Sequence, residues 1–258
     1  MLRSDFEFYY KGRDYAAISD YKVDNAIILA AECFPNFSPL TDTTPKPLLK
    51  VKGEILIERL IRQLREADIT DIYVVVGYKK EMFYYLKEKY NVHIIENPEY
   101  DVRNNHASIY AARQYLGNSF ICSADMYFMQ SVFEPYVYAP YFSSVFSECK
   151  TTKYSIQTAF NGRINGMKLG GTNVYCTTGH CYWDKKFSRQ FIEILEAEYD
   201  YPAVRQMQWK HIYMNHLDIL TLFIKKQPEG IVREFDTLDE LCLFDTSYIP
   251  YRNSLQES

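Results

Sequence analysis

The sequence predicts an α/β protein built on a mostly parallel central sheet flanked by helices, and three observations carry that reading. Apolar runs such as 25–31 and 72–76 show no polar alternation, as strands covered on both faces require. Stretches with apolar residues at helical spacing separate these runs. The order strand, helix, strand recurs through the first half, and such crossovers place parallel strands in one sheet.

Residues 1–24 are polar, carry charges of both signs and show no clear period, so they read as an N-terminal appendage. Asn25-Ala-Ile-Ile-Leu-Ala-Ala is the first buried strand, followed by a loop rich in Pro, Ser and Thr up to Pro47. Between Gly53 and Ala67, Ile57, Leu60, Ile61 and Leu64 mark one face of an amphipathic helix. Ile72-Tyr-Val-Val-Val is the next strand and ends at Gly77. Residues 79–90 read as a second helix, 92–96 as a strand, 106–115 as a third helix and 119–123 as a fourth strand. Beyond Asp125 the pattern becomes mixed. Strands are expected over 141–147 and 154–160, and Asn161-Gly162 is a hairpin turn signal before 163–169. Helices are expected over 187–199 and 204–217, and a strand over 221–225. Thr237-Leu-Asp-Glu240 is a capping box that opens a short closing helix.

Composition narrows the function classes. The chain has 258 residues, 47% of them hydrophobic and 24% charged, which suits a globular domain able to bury a core without disulfides or structural metal. A formal net charge of −4 offers no positive field for nucleic acid or anionic lipid, so neither partner is expected. No apolar run approaches the roughly 20 residues of a membrane span. The opening residues lack a leader's hydrophobic stretch, and the expected location is cytoplasmic. Cysteines 33, 122, 149, 176, 181 and 242 are scattered without CxxC pairing and read as reduced thiols. The cluster Cys176, His180 and Cys181 lacks a second ligand pair at the spacing a zinc site requires.

In a parallel sheet, ligands bind beyond the carboxyl ends of the strands, which directs attention to 32–46, 77–80, 97–108 and 123–127. The first of these follows Leu29-Ala-Ala and continues through Pro39-Leu-Thr to Pro45-Lys46-Pro-Leu48. That frame resembles the nucleotidyltransferase signature L-A-A-G-x-G-x-R-x-x-P-x-T-x-x-x-P-K-x-L. With Lys52-Gly53-Glu-Ile-Leu-Ile-Glu-Arg, Val74-Val-Val-Gly-Tyr-Lys-Lys-Glu and Ser123-Ala-Asp125, it is similar, more narrowly, to bacterial CTP:phosphocholine cytidylyltransferases.

The resemblance implies a Rossmann-like nucleotidyltransferase domain over 25–250, with a nucleotide-binding half at 25–127 and a hairpin-containing acceptor-binding half at 128–250. It implies CTP and phosphocholine as small-molecule substrates and Mg²⁺ as cofactor. Lys46 would contact phosphates and Asp125 would hold the metal, making both catalytic. Leu29, Ala30, Ala31, Lys46, Gly77, Tyr78, Asn105 and Ser108 fall at the nucleotide-binding positions. A choline head group is read by aromatic faces, and Tyr182 and Trp209 are the matching candidates.

The signature also changes here. Its glycines are Glu32 and Phe34, its arginine is Asn36, and Pro35 removes an N–H donor, so weaker triphosphate binding is expected. After the matching tryptophan, where an acidic second metal ligand is expected, the chain reads Lys210-His211, and Asp218 lies two helical turns further on. Two other readings therefore remain: a weak or inactive relative acting as a ligand-binding module, and a transferase for sugar 1-phosphates. The sequence leaves the oligomeric state open.

Overall fold

Ahead of the first strand the chain forms a helix, α1 (Arg3–Lys11), in a computed structural model that describes residues 1–256. No period was visible there because aromatics occupy both faces. Phe6 is buried against Tyr21 and Tyr138, with ring centroids 5.1 and 5.5 Å away, whereas Phe8 is 73% exposed.

The first apolar run becomes β1 (Asn25–Ala30), every residue of which is buried. A loop containing the short helix α2 (Leu40–Thr43) leads to the small ribbon β2 (Lys50–Val51) and β3 (Glu54–Ile55). Helix α3 (Leu56–Glu66) buries Ile57, Leu60, Ile61 and Leu64, the face its spacing predicts. β4 (Ile72–Val76), α4 (Tyr85–Tyr90), β5 (His93–Glu96), α5 (His106–Ala112) and β6 (Ser119–Ser123) complete the alternating half. Two helices are shorter than predicted. Tyr78 N–H donates to Ala31 O and Lys79 has φ +48°, so a 3₁₀ turn over Lys80–Phe83 precedes α4. After α5 the last turn tightens into a 3₁₀ segment, Arg113–Tyr115.

The second half begins with β7 (Tyr127–Phe128) and β8 (Tyr141–Ser147). β9 (Thr151–Thr158) and β10 (Ile164–Gly171) pair antiparallel around Asn161-Gly162, the predicted hairpin. The sequence reading missed β11 (Val174–Trp183), a ten-residue strand that joins the two halves of the sheet. α6 (Lys185–Glu198) follows, with the Asp184 side chain accepting from Phe187 N–H at its start. α7 spans only Trp209–Asn215, because residues 202–206 spend hydrogen bonds on the 102–104 loop, where Val102 O accepts from Arg205 and Gln206 and Arg205 O accepts from Asn104 N–H. β12 (Phe223–Gln227), β13 (Val232–Arg233), α8 (Leu238–Phe244) and α9 (Ile249–Gln256) close the described chain. Thr237 accepts from Glu240 N–H, as its capping pattern predicts.

Among the described residues the main sheet is nine-stranded, in the order β10-β9-β11-β6-β1-β4-β5, with β8 pairing β11 and β12. β6, β1, β4 and β5 run parallel, and β11 joins β6 antiparallel. Odd and even positions of each strand face opposite layers, so Ala26, Ile28 and Ala30 enter one apolar core while Ile27 and Leu29 enter another. No helix of the described residues is long and apolar enough to cross a membrane.

Candidate active site

β1 lies between β6 and β4, and the chain leaves it first toward β4 and returns later to β6. The gap beyond the carboxyl ends of β1 and β6 is therefore a topological switch point, where an open sheet forms its ligand crevice. Glu32 follows β1 and Asp125 follows β6, and both line a cavity of about 300 Å³ there. Its opposite wall comes from the second half: Lys153 and Tyr154 on β9, His180 on β11, Trp209 and Lys210 on α7, and Glu234 and Asp236 after β13.

Lys46 reaches Asp125 from the signature loop. Its ammonium donates to Asp125 Oδ2 at 2.6 Å and to Phe235 O at 2.6 Å, with only 3% and 8% of the two charged side chains exposed. The Phe34 and Phe37 rings stand 4.6 and 4.7 Å from the same ammonium. Phe34 thus occupies a glycine position of the signature as a packing partner of the lysine.

The remaining charges are crowded. Burial, then the Asp125 charge, raise the Glu32 carboxyl above its ordinary range, and the Asn105 side chain, Lys210 and Lys46 only partly offset this. Glu234 is raised for the same reasons, burial first and Asp125 and Asp236 after it, against Lys153. Burial lowers Lys153, but Glu234, bonded to it at 2.5 Å, and Asp236 leave its ammonium above the usual lysine range. Burial also lowers Lys210, against the pull of Glu234 and Glu32.

The other expected site residues divide into those the fold brings together and those it does not. Leu29 and Asn105 line the cavity, Asn105 Oδ1 accepting from Trp209 N–H at 3.0 Å. Ala30 and Ala31 are buried beside it, and Ala31 O holds Tyr78 N–H. A Cβ on Gly77 would lie 2.5 Å from the Tyr100 side chain and 2.9 Å from Ala31 O, so only glycine fits that approach. The Tyr78 hydroxyl donates to Thr41 O, tying the signature loop to the end of β4. Ser108 is buried and accepts from the Asn97 amide, behind the cavity wall.

Tyr182 does not reach the site. It sits on β11, 1% exposed and packed with Phe120 and Tyr141, on the same face as His180 but one step further along the strand, where the core closes over it. Trp209 does line the cavity, but it stacks on Phe142 at 5.2 Å and meets Trp183 edge-on at 5.3 Å.

No acidic side chain after Trp209 reaches the cavity in the place where one was expected. His211 Nε2 is bonded to the Tyr154 hydroxyl, its Nδ1 accepts from Gln208 N–H, and Asp218 is exposed. The carboxylates facing Asp125 are instead Glu234 and Asp236, which alternate along an extended segment and so share a side. That alternation, just ahead of the Thr237 cap, is the signal by which the sequence could have revealed them. Among the described residues no group of three or more His, Cys, Asp and Glu side chains is arranged to hold a metal ion, which includes the Cys176, His180 and Cys181 cluster.

Residues 26–139 match the MobA-like NTP transferase domain. Over 236 residues the chain is 36% identical to the 2-aminoethylphosphonate cytidylyltransferase of Lancefieldella rimae, covering 90% of this chain and 96% of that protein. The chain belongs to the cytidylyltransferases of the MobA-like NTP transferase family. It is also 28% identical to the choline-phosphate cytidylyltransferase of Streptococcus pneumoniae over 83% of this chain and 94% of that one. A solved structure of CTP:phosphocholine cytidylyltransferase from Streptococcus pneumoniae matches with a TM-score of 0.80, covering 84% of this chain and 95% of that chain. These likenesses bear out the nucleotidyltransferase fold expected from the signature.

Proposed function

We propose that this cytidylyltransferase transfers CMP from CTP to a small phosphonate or phosphate that carries a primary amine, of the 2-aminoethylphosphonate kind. The observation that carries this reading is Glu32. It stands on the cavity wall and, among the described residues, has no cationic side chain within 4.0 Å. A carboxylate whose proton affinity is raised by burial and by Asp125 is relieved by a cation, and a primary ammonium brings three donors to such a group. A quaternary ammonium has no donors and needs open aromatic faces. Trp209 is engaged by Phe142 and Trp183, and Tyr182 lies in the core, which favours the primary amine.

In the reaction an acceptor oxygen forms a bond to the α-phosphorus of CTP while the bond to the β-bridging oxygen breaks, and pyrophosphate leaves with that electron pair. Lys46 places positive charge beside the phosphates. Leu29, Ala30, Ala31, Gly77, Tyr78 and Asn105 shape the nucleotide side, with Ser108 positioning Asn97 behind it. The excess of buried carboxylate charge around Asp125 suits a divalent cation, and Mg²⁺ is commonly held by one or two carboxylates plus substrate phosphates. Asp125 would hold it, with Glu234 the neighbouring carboxylate. When bound, the ion neutralises charge on the phosphate oxygens. We place the nucleotide half at 25–127 and the acceptor half at 128–250, since the cavity wall divides along that boundary.

Phosphocholine is the second reading, favoured by the Phe34, Phe142 and Tyr154 rings on the cavity wall. Pyrophosphate release with CTP and Mg²⁺ separates the two, with 2-aminoethylphosphonate, phosphoethanolamine, phosphocholine and glucose 1-phosphate compared as acceptors. The primary amines should exceed phosphocholine by about tenfold in kcat/KM, the value of one charge-assisted contact. A preference for phosphocholine overturns the amine assignment, and no release with any pair moves the chain to a binding role.

A further inference from the structure

The cavity is lined by two lysines, and they differ in what holds them. Lys153 is bonded to Glu234 at 2.5 Å, with Asp236 at 4.0 Å. In the signature loop, Lys46 donates to Asp125 and to Phe235 O. Among the described residues the Lys210 ammonium has no hydrogen bond and no carboxylate within 4.0 Å, and its contact is the Tyr154 ring at 4.1 Å.

Its place is nevertheless built. Trp209 N–H is fixed by Asn105 Oδ1, and around the residue His211 N–H donates to Gln208 O while Gln208 N–H donates to the His211 ring. The His211 ring is in turn held by the Tyr154 hydroxyl, so the aromatic support of Lys210 is itself anchored. An unpaired ammonium on a rigid mount inside a cavity serves an anion that arrives from outside.

We propose that Lys210 binds the phosphonate or phosphate oxygens of the acceptor and is the residue by which this chain selects a dianionic acceptor. Two anions must meet in this reaction, and the acceptor needs a cation that the nucleotide phosphates do not share. Lys46 belongs to the signature loop and is paired with Asp125, whereas Lys210 stands on the acceptor half, across from Asp125. Partial loss of its hydration, seen in the lowered proton affinity, strengthens its attraction for an anion. The inference rests on the acceptor site lying in this cavity and does not depend on the acceptor's amine.

The test uses ethylphosphonate, which carries the anion without the amine, titrated by calorimetry into the full chain and into Lys210→Met and Lys210→Arg. The methionine variant should bind ethylphosphonate about tenfold more weakly, with the arginine variant within about threefold of wild type and CTP affinity unchanged in both. Lys210→Gln gives the same comparison should the methionine variant fold poorly. Unchanged ethylphosphonate affinity in the neutral variants overturns the proposal, as does loss of CTP affinity in place of it, or a wild-type chain that binds no ethylphosphonate. The amine reading fails separately, if amino acceptors turn over no faster than ethylphosphonate.

Discussion

Lys46 Nζ lies 2.6 Å from Asp125 Oδ2, joining the loop after β1 to the turn after β6 across 79 residues of sequence, with both groups almost wholly shielded from water. A buried pair of this kind contributes little net stability, but removing one member strands the other as an uncompensated charge. Asp125→Ala should therefore abolish turnover and cost about 3–5 kcal/mol in denaturant unfolding. Lys46→Met combined with Asp125→Leu should restore most of that stability and none of the activity. A double variant as unstable as the single one would show that the pair's geometry, beyond its charge, holds the loop.

Gly77→Ala tests the close approach at the end of β4. Its Cβ would meet the Tyr100 ring and Ala31 O, which cannot both give way. The expected cost is about 1–3 kcal/mol of stability, with weaker CTP binding as Tyr78 and the signature loop shift. A thermal melt and a CTP titration of the same variant check both halves.

His180 is buried among the Phe128, Phe133 and Tyr141 rings, and burial first, then Lys225, lower its pKa to about 3. The unfolded imidazole titrates near 6.5, so between these values the unfolded chain binds the extra proton. Its contribution is fully present above about pH 6.5 and is lost as pH falls toward 3, with a slope nearing about 1.4 kcal/mol per pH unit. His180→Gln should remove that slope. Unfolding curves of the two proteins at several acid pH values should converge on acidification, and parallel lines would mean that the ring charges without penalty.

Glu32→Gln removes the carboxylate that we assign to the acceptor's amine while keeping the side chain's shape. KM for 2-aminoethylphosphonate should rise about tenfold, the loss of one charge-assisted contact, with KM for ethylphosphonate unchanged. An equal rise for both acceptors would place Glu32 on the phosphonate or nucleotide side.

Local pattern determined much of this protein. The buried runs at 25–30 and 72–76, the apolar face of α3, the hairpin at Asn161-Gly162 and the Thr237 cap all follow from periods and turn chemistry that act within a few residues. The signature puts Lys46 in the loop after the first strand, and Ser123-Ala-Asp125 puts the aspartate just past the fourth. What the tertiary structure alone decided is which distant residues complete the cavity. Tyr182 and Trp209 look alike as aromatic candidates in sequence, but the register of β11 against β6 sends one into the core while α7 brings the other to the cavity. Glu234 and Asp236 face Asp125 because β13 pairs with β7, immediately beyond the aspartate. Pairing register and long-range packing are collective properties of the folded sheet, and a one-residue change in them reverses every side chain. For that reason the first half of the cavity wall was legible in the sequence, whereas the second half, including the free ammonium of Lys210, emerged only with the fold.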